Sequence, residues 1–199
     1  FRLWSRVGWD SETTTEPSHA STPKFTLKTI LIQGIFLFLC LPFLFPGVLL
    51  RGEVIAPGDI LHQIPPWSSA APPGFERAGN PQAVDPVAAF LPWYAIGIET
   101  VKNESAWPLW NHLAFAGMPL LANVQSAVLY PPRWVHWFLG LAWGTTAFIL
   151  FKVWWCGMSA FICCLGIGQR RGLAAFVSFA WMLCGFNVIW CNWPLTDVA

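Results

Sequence analysis

The chain has 199 residues, 55% hydrophobic and 11% charged, with a formal net charge of +1. Soluble domains carry about 25% charged residues, so the composition excludes an ordinary soluble domain. The near-neutral charge gives no reason to expect a nucleic acid partner. Fourteen tryptophans exceed what a core of this size needs; indole favours membrane interfaces, where its ring is buried and its N–H stays wet.

In chain order, residues 1–28 read as a polar cytoplasmic tail with no apolar core of a cleaved signal peptide. The chain opens on Phe1 rather than methionine and ends just past an apolar run, so a trimmed or partial chain is expected. Residues 29–50 carry no charge and are long enough to cross a bilayer as a first transmembrane helix. Arg2, Arg6, Lys24 and Lys28 precede it and place that end in the cytoplasm. Pro42 and Pro46 should kink or end it near its outer edge. Residues 51–133 then form an outer loop or cap. Within it, 65–81 reads as an extended Pro-, Ser-, Ala- and Gly-rich segment, and 85–104 as an amphipathic interfacial helix. Residues 134–143 are too short to cross and predict an interfacial or re-entrant helix. Residues 144–168 and 172–193 predict the second and third spans, joined by the basic turn Gln169-Arg170-Arg171 on the cytoplasmic side. Residues 194–199 would begin a further outer segment. The fold class expected is an all-α membrane protein with three transmembrane helices, a cytoplasmic N-terminus and a long, partly helical outer loop. All six cysteines fall in apolar spans without zinc spacing and read as small hydrophobes.

Two segments of the outer loop share a pattern. Asp59 and Asp85 are each followed at seven and eight residues by Pro-Trp, ending at Trp67 and Trp93. A carboxylate held beside the membrane by an anchored indole suits a general base or a divalent-cation ligand. The competing reading is helix capping, since Asp85 before Pro86 fits an N-cap with proline at the first helical position. Lys152 lies in the middle of the second span, where a charge is costly and should face a cavity, an acidic partner or a polar lipid head; snorkelling is the alternative. His136, between Trp134 and Trp137, is a candidate axial ligand for a haem or chlorophyll-type pigment, with a simple polar anchor as the competing reading. His62 and His112 carry the same two readings. Asn103-Glu-Ser matches a glycosylation sequon, a pattern frequent by chance. Nucleophile triads, P-loops and dinucleotide-binding glycines are not found in the sequence.

The strip from Trp107 to Pro132 is long, apolar and proline-stiffened, unlike an ordinary connection. It predicts a folded cap on the membrane surface, with Trp107, Trp110, Phe115 and Tyr130 buried against each other or the lipid interface and Gly117-Met118-Pro119 turning the strip back. Asn111, Asn123 and Gln125 would satisfy backbone groups that cannot stay bare next to lipid.

Three stretches, G-D-I-L-H-Q-I-P-P-W, N-P-Q-A-V-D-P-V-A-A-F-L-P-W and the run Trp107–Trp134, together resemble the amino-terminal region of large bacterial YfhO-like membrane proteins. These are grouped with the GT-C superfamily of polyprenyl-phosphate-dependent glycosyltransferases. The resemblance spans about Leu50 to Pro194. It implies a bacterial inner-membrane protein, a polyprenyl-phosphate-linked sugar as donor, a divalent cation as a candidate cofactor, and Asp85 then Asp59 as catalytic candidates. Lys152, Gln63, Trp67, Trp93, Trp110, Asn111, Asn123 and Gln125 would face substrate or lipid. The chain differs from the family pattern at Ala89, where glutamine is usual, and at Lys152, where histidine is common. The alternative function is a non-catalytic accessory subunit that packs lipids, pigments or partner helices in a larger membrane complex.

Overall fold

The computed structural model describes residues 26–193. The basic residues Arg2, Arg6 and Lys24 and the segment 194–199 lie outside the described residues. The chain is mostly helical, and three stretches are long and apolar enough to cross a membrane: Leu27–Leu44, Pro131–Gly166 and Arg171–Ile189.

Helix α1 (Leu27–Leu44) contains Pro42 and stops at Phe45, whose φ of -126° and ψ of 62° leave the helical region. Pro46 cannot donate to the preceding turn, so it opens a separate short helix, α2 (Pro46–Arg51), rather than extending the first. Gly52, at φ 65°, closes α2 in the left-handed conformation that glycine adopts without penalty. The expected single run 29–50 is therefore two helices.

The outer segment holds short turns, then a π-helical turn at Pro86–Phe90 that leads straight into α3 (Leu91–Asn103). Two short strands, β1 (Trp110–Asn111) and β2 (Met118–Pro119), pair antiparallel with Trp110 opposite Pro119 and Asn111 opposite Met118.

The short helix expected at 134–143 is present, but it ends at Gly140. A 3₁₀ turn at Pro131–Trp134 feeds α4 (Val135–Gly166), which is interrupted only at Gly140, φ 77° and ψ -176°. The break at Gly140 divides this run into a short first helix and the longer span that follows. The expected third span, 172–193, is divided as well: α5 (Arg171–Met182), then α6 (Gly185–Ile189) and a 3₁₀ turn at Trp190–Asn192.

Helices α1, α4 and α5 share a core of Leu37, Leu41, Ile149, Val153, Met158 and Met182. Gly157 allows the close approach: a Cβ there would stand 2.9 Å from Leu37 Cδ1 and 3.3 Å from the Ser178 carbonyl oxygen. Small residues at helix crossings are what association in lipid requires, because lipid tails are as apolar as leucine. One buried polar pair joins α1 to α5, with Gln33 Nε2 donating to Ser178 Oγ at 2.8 Å. Between α1 and α4 lies an apolar groove of about 410 Å³ lined by Phe38, Leu41, Ala147, Leu150, Phe151 and Trp154.

Of the two surroundings expected for the cap aromatics, each other or the lipid interface, packing on each other is not found. Trp107 and Trp110 are each 53% exposed and Phe115 is 91% exposed, while Tyr130 is half-buried. Its packed residues are Ile96, Leu120 and Val128, with Asn111 and Ser126 buried beside them. Asn111 Oδ1 accepts from the Leu113 N–H, and Ser126 Oγ donates to the Leu120 and Asn123 carbonyls. Small polar side chains thus close the loop from within, and the large rings are left outside. The turn lies ahead of its expected place: Phe115 and Ala116 take φ of 54° and 59°, Gly117 takes 113°, and Met118-Pro119 already belongs to the returning strand.

Candidate functional site

Polar burial in this chain is concentrated where the outer segment meets the start of α4. The 3₁₀ turn at Pro131–Trp134 carries Arg133 inward, where it is 6% exposed. Its Cζ lies 4.2 Å from the centre of the Tyr94 ring and 3.9 Å from that of Phe148. A guanidinium held between two aromatic faces is favoured by about 2 kcal/mol or more when desolvated, which offsets part of the cost of burying the charge.

Lys152, 9% exposed, comes from the same helix further along, and its Nζ donates to the Trp193 carbonyl at 2.9 Å. Arg133 and Lys152 line one small cavity, together with Pro57, Pro86, Phe90, Leu91 and Tyr94 from the outer segment. Its free volume of about 20 Å³ holds little more than a single water. Lys152 therefore meets a cavity, the first of the surroundings its sequence position suggested.

His136 sits next to this pair but faces the protein. Its Nδ1 lies 2.9 Å from the Arg133 carbonyl, which can only accept, so the proton belongs on Nδ1. Its Nε2 lies 3.3 Å from the Thr145 hydroxyl, which donates its own proton to the Leu141 carbonyl at 2.7 Å. The ring, 2% exposed, packs against Tyr94 and Phe148. Both nitrogens being turned into the fold, the imidazole presents none to a haem or pigment; it joins the turn before α4 to the helix after the Gly140 break.

Asp85 is exposed at the head of the π-helical turn whose Pro86 and Phe90 line the cavity. Its backbone is helical and its side chain makes no capping hydrogen bond, so the capping reading does not describe it. Asp59 is half-buried and its Oδ2 accepts from the Gly79 N–H at 2.7 Å, tying the 58–63 turn to the end of the proline-rich segment. The two members of the Asp/Pro-Trp repeat thus have different surroundings.

Trp93 is half-buried and edge-on to Phe90, and it lines a second small cavity with Tyr94, Arg133 and His136. Gln63, Trp67, Trp110 and Gln125 are exposed away from both cavities; Asn123 is half-buried and Asn111 is occupied within the hairpin. Among the described residues, no three His, Cys, Asp or Glu side chains converge as a metal centre would need.

The sequence reading passed over Arg133 and Tyr94. The available signal was that Arg133 is the only Asp, Glu, Lys or Arg between Glu104 and Lys152; a lone cation at the entry of a span has to be placed somewhere. Comparisons with family models, with curated proteins and with solved structures find no match to this chain.

Proposed function

We propose that the chain is part of a membrane-embedded glycosyltransferase of GT-C type, taking sugar from a polyprenyl-phosphate donor at the outer face of a bacterial inner membrane. The observation that carries this reading is the convergence of two buried cations, Arg133 and Lys152, on one cavity beneath the turn that Asp85 opens. A phosphate leaving group needs preorganised positive charge in a water-poor site, where such charge acts most strongly. An exposed carboxylate beside it can deprotonate an acceptor hydroxyl. π-helical turns are rare and frequently mark functional sites, and this one joins Asp85 to the cavity wall.

In this scheme the acceptor oxygen bonds to the anomeric carbon of the sugar as its proton passes to Asp85. The bond from that carbon to the phosphate oxygen breaks, and the phosphate leaves on its polyprenyl chain with Arg133 and Lys152 balancing its charge. The cavity is too small for a phosphate group as it stands, so donor binding has to part Phe90 from Phe148. Asp59 holds the 58–63 turn in place rather than joining the chemistry.

The exposed apolar faces of α1 and the groove beside Phe38 and Trp154 favour a second reading, an accessory subunit that packs lipids or partner helices. Asp85→Asn separates the two. Asp85 is exposed, so the variant should fold, and transfer from a lipid-linked sugar in membranes carrying the whole coding region should fall by about 10²–10⁴-fold. Undiminished transfer would overturn the enzymatic assignment.

A further inference from the structure

We infer that the hairpin 110–119 is a lipid anchor whose tip, Leu113 and Phe115, enters the acyl region of the leaflet next to the outer segment. This surface is separate from the cation-lined cavity and does not depend on what that cavity binds.

From Ser105 to Pro132 the sequence contains no Asp, Glu, Lys or Arg. A surface segment of that length in water ordinarily carries charge. Its large apolar side chains nevertheless point outward: Phe115 is 91% exposed, Val124 80% and Leu113 69%. A contiguous apolar surface of this kind marks a membrane or protein contact.

The backbone favours lipid over water as the occupant. Phe115 and Ala116 both hold positive φ, a conformation uncommon for residues with a side chain, and they use it to project an aromatic ring away from the protein. The hairpin also pairs several of its own polar groups. Asn111 Oδ1 takes the Leu113 N–H, the Ala114 carbonyl takes the Gly117 N–H, and the Leu109 carbonyl takes both the Leu120 and Leu121 N–H groups. Internal pairing is the condition for backbone at membrane depth.

The surface is continuous with a membrane-crossing element. The second membrane-crossing stretch in chain order begins at Pro131, at the end of the uncharged strip, and it exposes Phe138 and Leu139 ahead of the Gly140 break. Trp107 and Trp110, half-exposed at the base of the hairpin, have the amphipathic rings that settle at the headgroup level. The exposed His112 at the tip limits the depth to the outer part of the acyl region.

The test uses the full chain with its native cysteines replaced, reconstituted in phosphatidylcholine–phosphatidylglycerol vesicles. An environment-sensitive fluorophore is attached at Phe115→Cys or Leu113→Cys. Phe43→Cys, on the exposed face of α1, and Ser69→Cys, in the proline-rich segment, set the lipid and water ends of the scale. The expected result is quenching of the 113 and 115 labels by spin-labelled lipid, as at 43, and loss of quenching by aqueous iodide, in contrast to 69. Iodide quenching equal to that at 69 would overturn the inference. So would protection from both quenchers, which would mean that protein covers the hairpin: a second copy or another segment of the chain.

Discussion

Around Gly157, α4 meets α1 and α5 through Leu37, Val153, Met158 and Met182, and the Gln33–Ser178 pair is satisfied within the bundle. Around Thr145, the same helix gathers Arg133, His136 and Lys152 against Tyr94 and Phe148. The first region does what a membrane bundle requires, close packing with few polar groups. The second buries two cations, whose desolvation costs free energy that apolar side chains would not incur. Stability alone does not call for that arrangement, which is why function is sought in the second region and not the first.

The largest effect should come from the apolar region. Leu37→Ala empties a site that is 0% exposed and should lower stability by about 2–5 kcal/mol, read as unfolding in mixed micelles. Donor binding by the fraction that remains folded should not change; a binding defect there would erase the distinction between the two regions.

Gly144→Ala tests the seam between them. A Cβ at that position would stand 2.6 Å from the His136 Cα, a backbone atom that cannot swing aside. Overpacking of this kind costs about 1–3 kcal/mol, and the turn carrying Arg133 should shift with His136. The same melt checks the cost, and weaker binding of polyprenyl phosphate checks the shift. A stable variant with unaltered binding would show that the contact does not position Arg133.

The smallest effect belongs to the cap. Trp110→Ala removes a ring that is half-exposed and lies over Gly117. About 1 kcal/mol is expected, near half the value of a fully buried side chain, with a modest rise in proteolysis of the 110–119 hairpin. A loss as large as that of Leu37→Ala would mean that the cap is a core in its own right.

The three apolar spans were legible in the sequence because hydrocarbon thickness imposes a minimum uncharged length, and few soluble segments imitate it. Their interruptions were harder to read. Pro46 announced a break after Phe45, but Gly140, which takes a positive φ, looks like any other glycine in a membrane helix. Asp85 and Lys152 were found by their cost or their repetition. Arg133 escaped because its neighbours Tyr94 and Phe148 are distant in sequence, and a cation between rings leaves no spacing signal.

For the aromatic cap the sequence left open whether the rings pack on each other or on lipid. In water, Trp110 and Phe115 would be driven into the protein. Beside a bilayer the outside is apolar too, and the interior is left to residues such as Leu120 and Ser126 that fit and pair.

The break at Gly140 also bears on bilayer thickness. At the usual rise, α1 is about 27 Å long, whereas the uninterrupted run 141–166 is about 39 Å. A hydrocarbon layer of about 30 Å matches the first and is exceeded by the second, so α4 has to lean or project from it. Helices packed together cannot each choose their own angle, and a thicker membrane would draw α4 upright while leaving α1 short. At Gly140 the helix gives up its continuity, but His136 reaches across the break to Thr145 and lies against Gly144, so residues 131–139 and the span below lean together. A bilayer that changes the lean of α4 would therefore move the turn that carries Arg133.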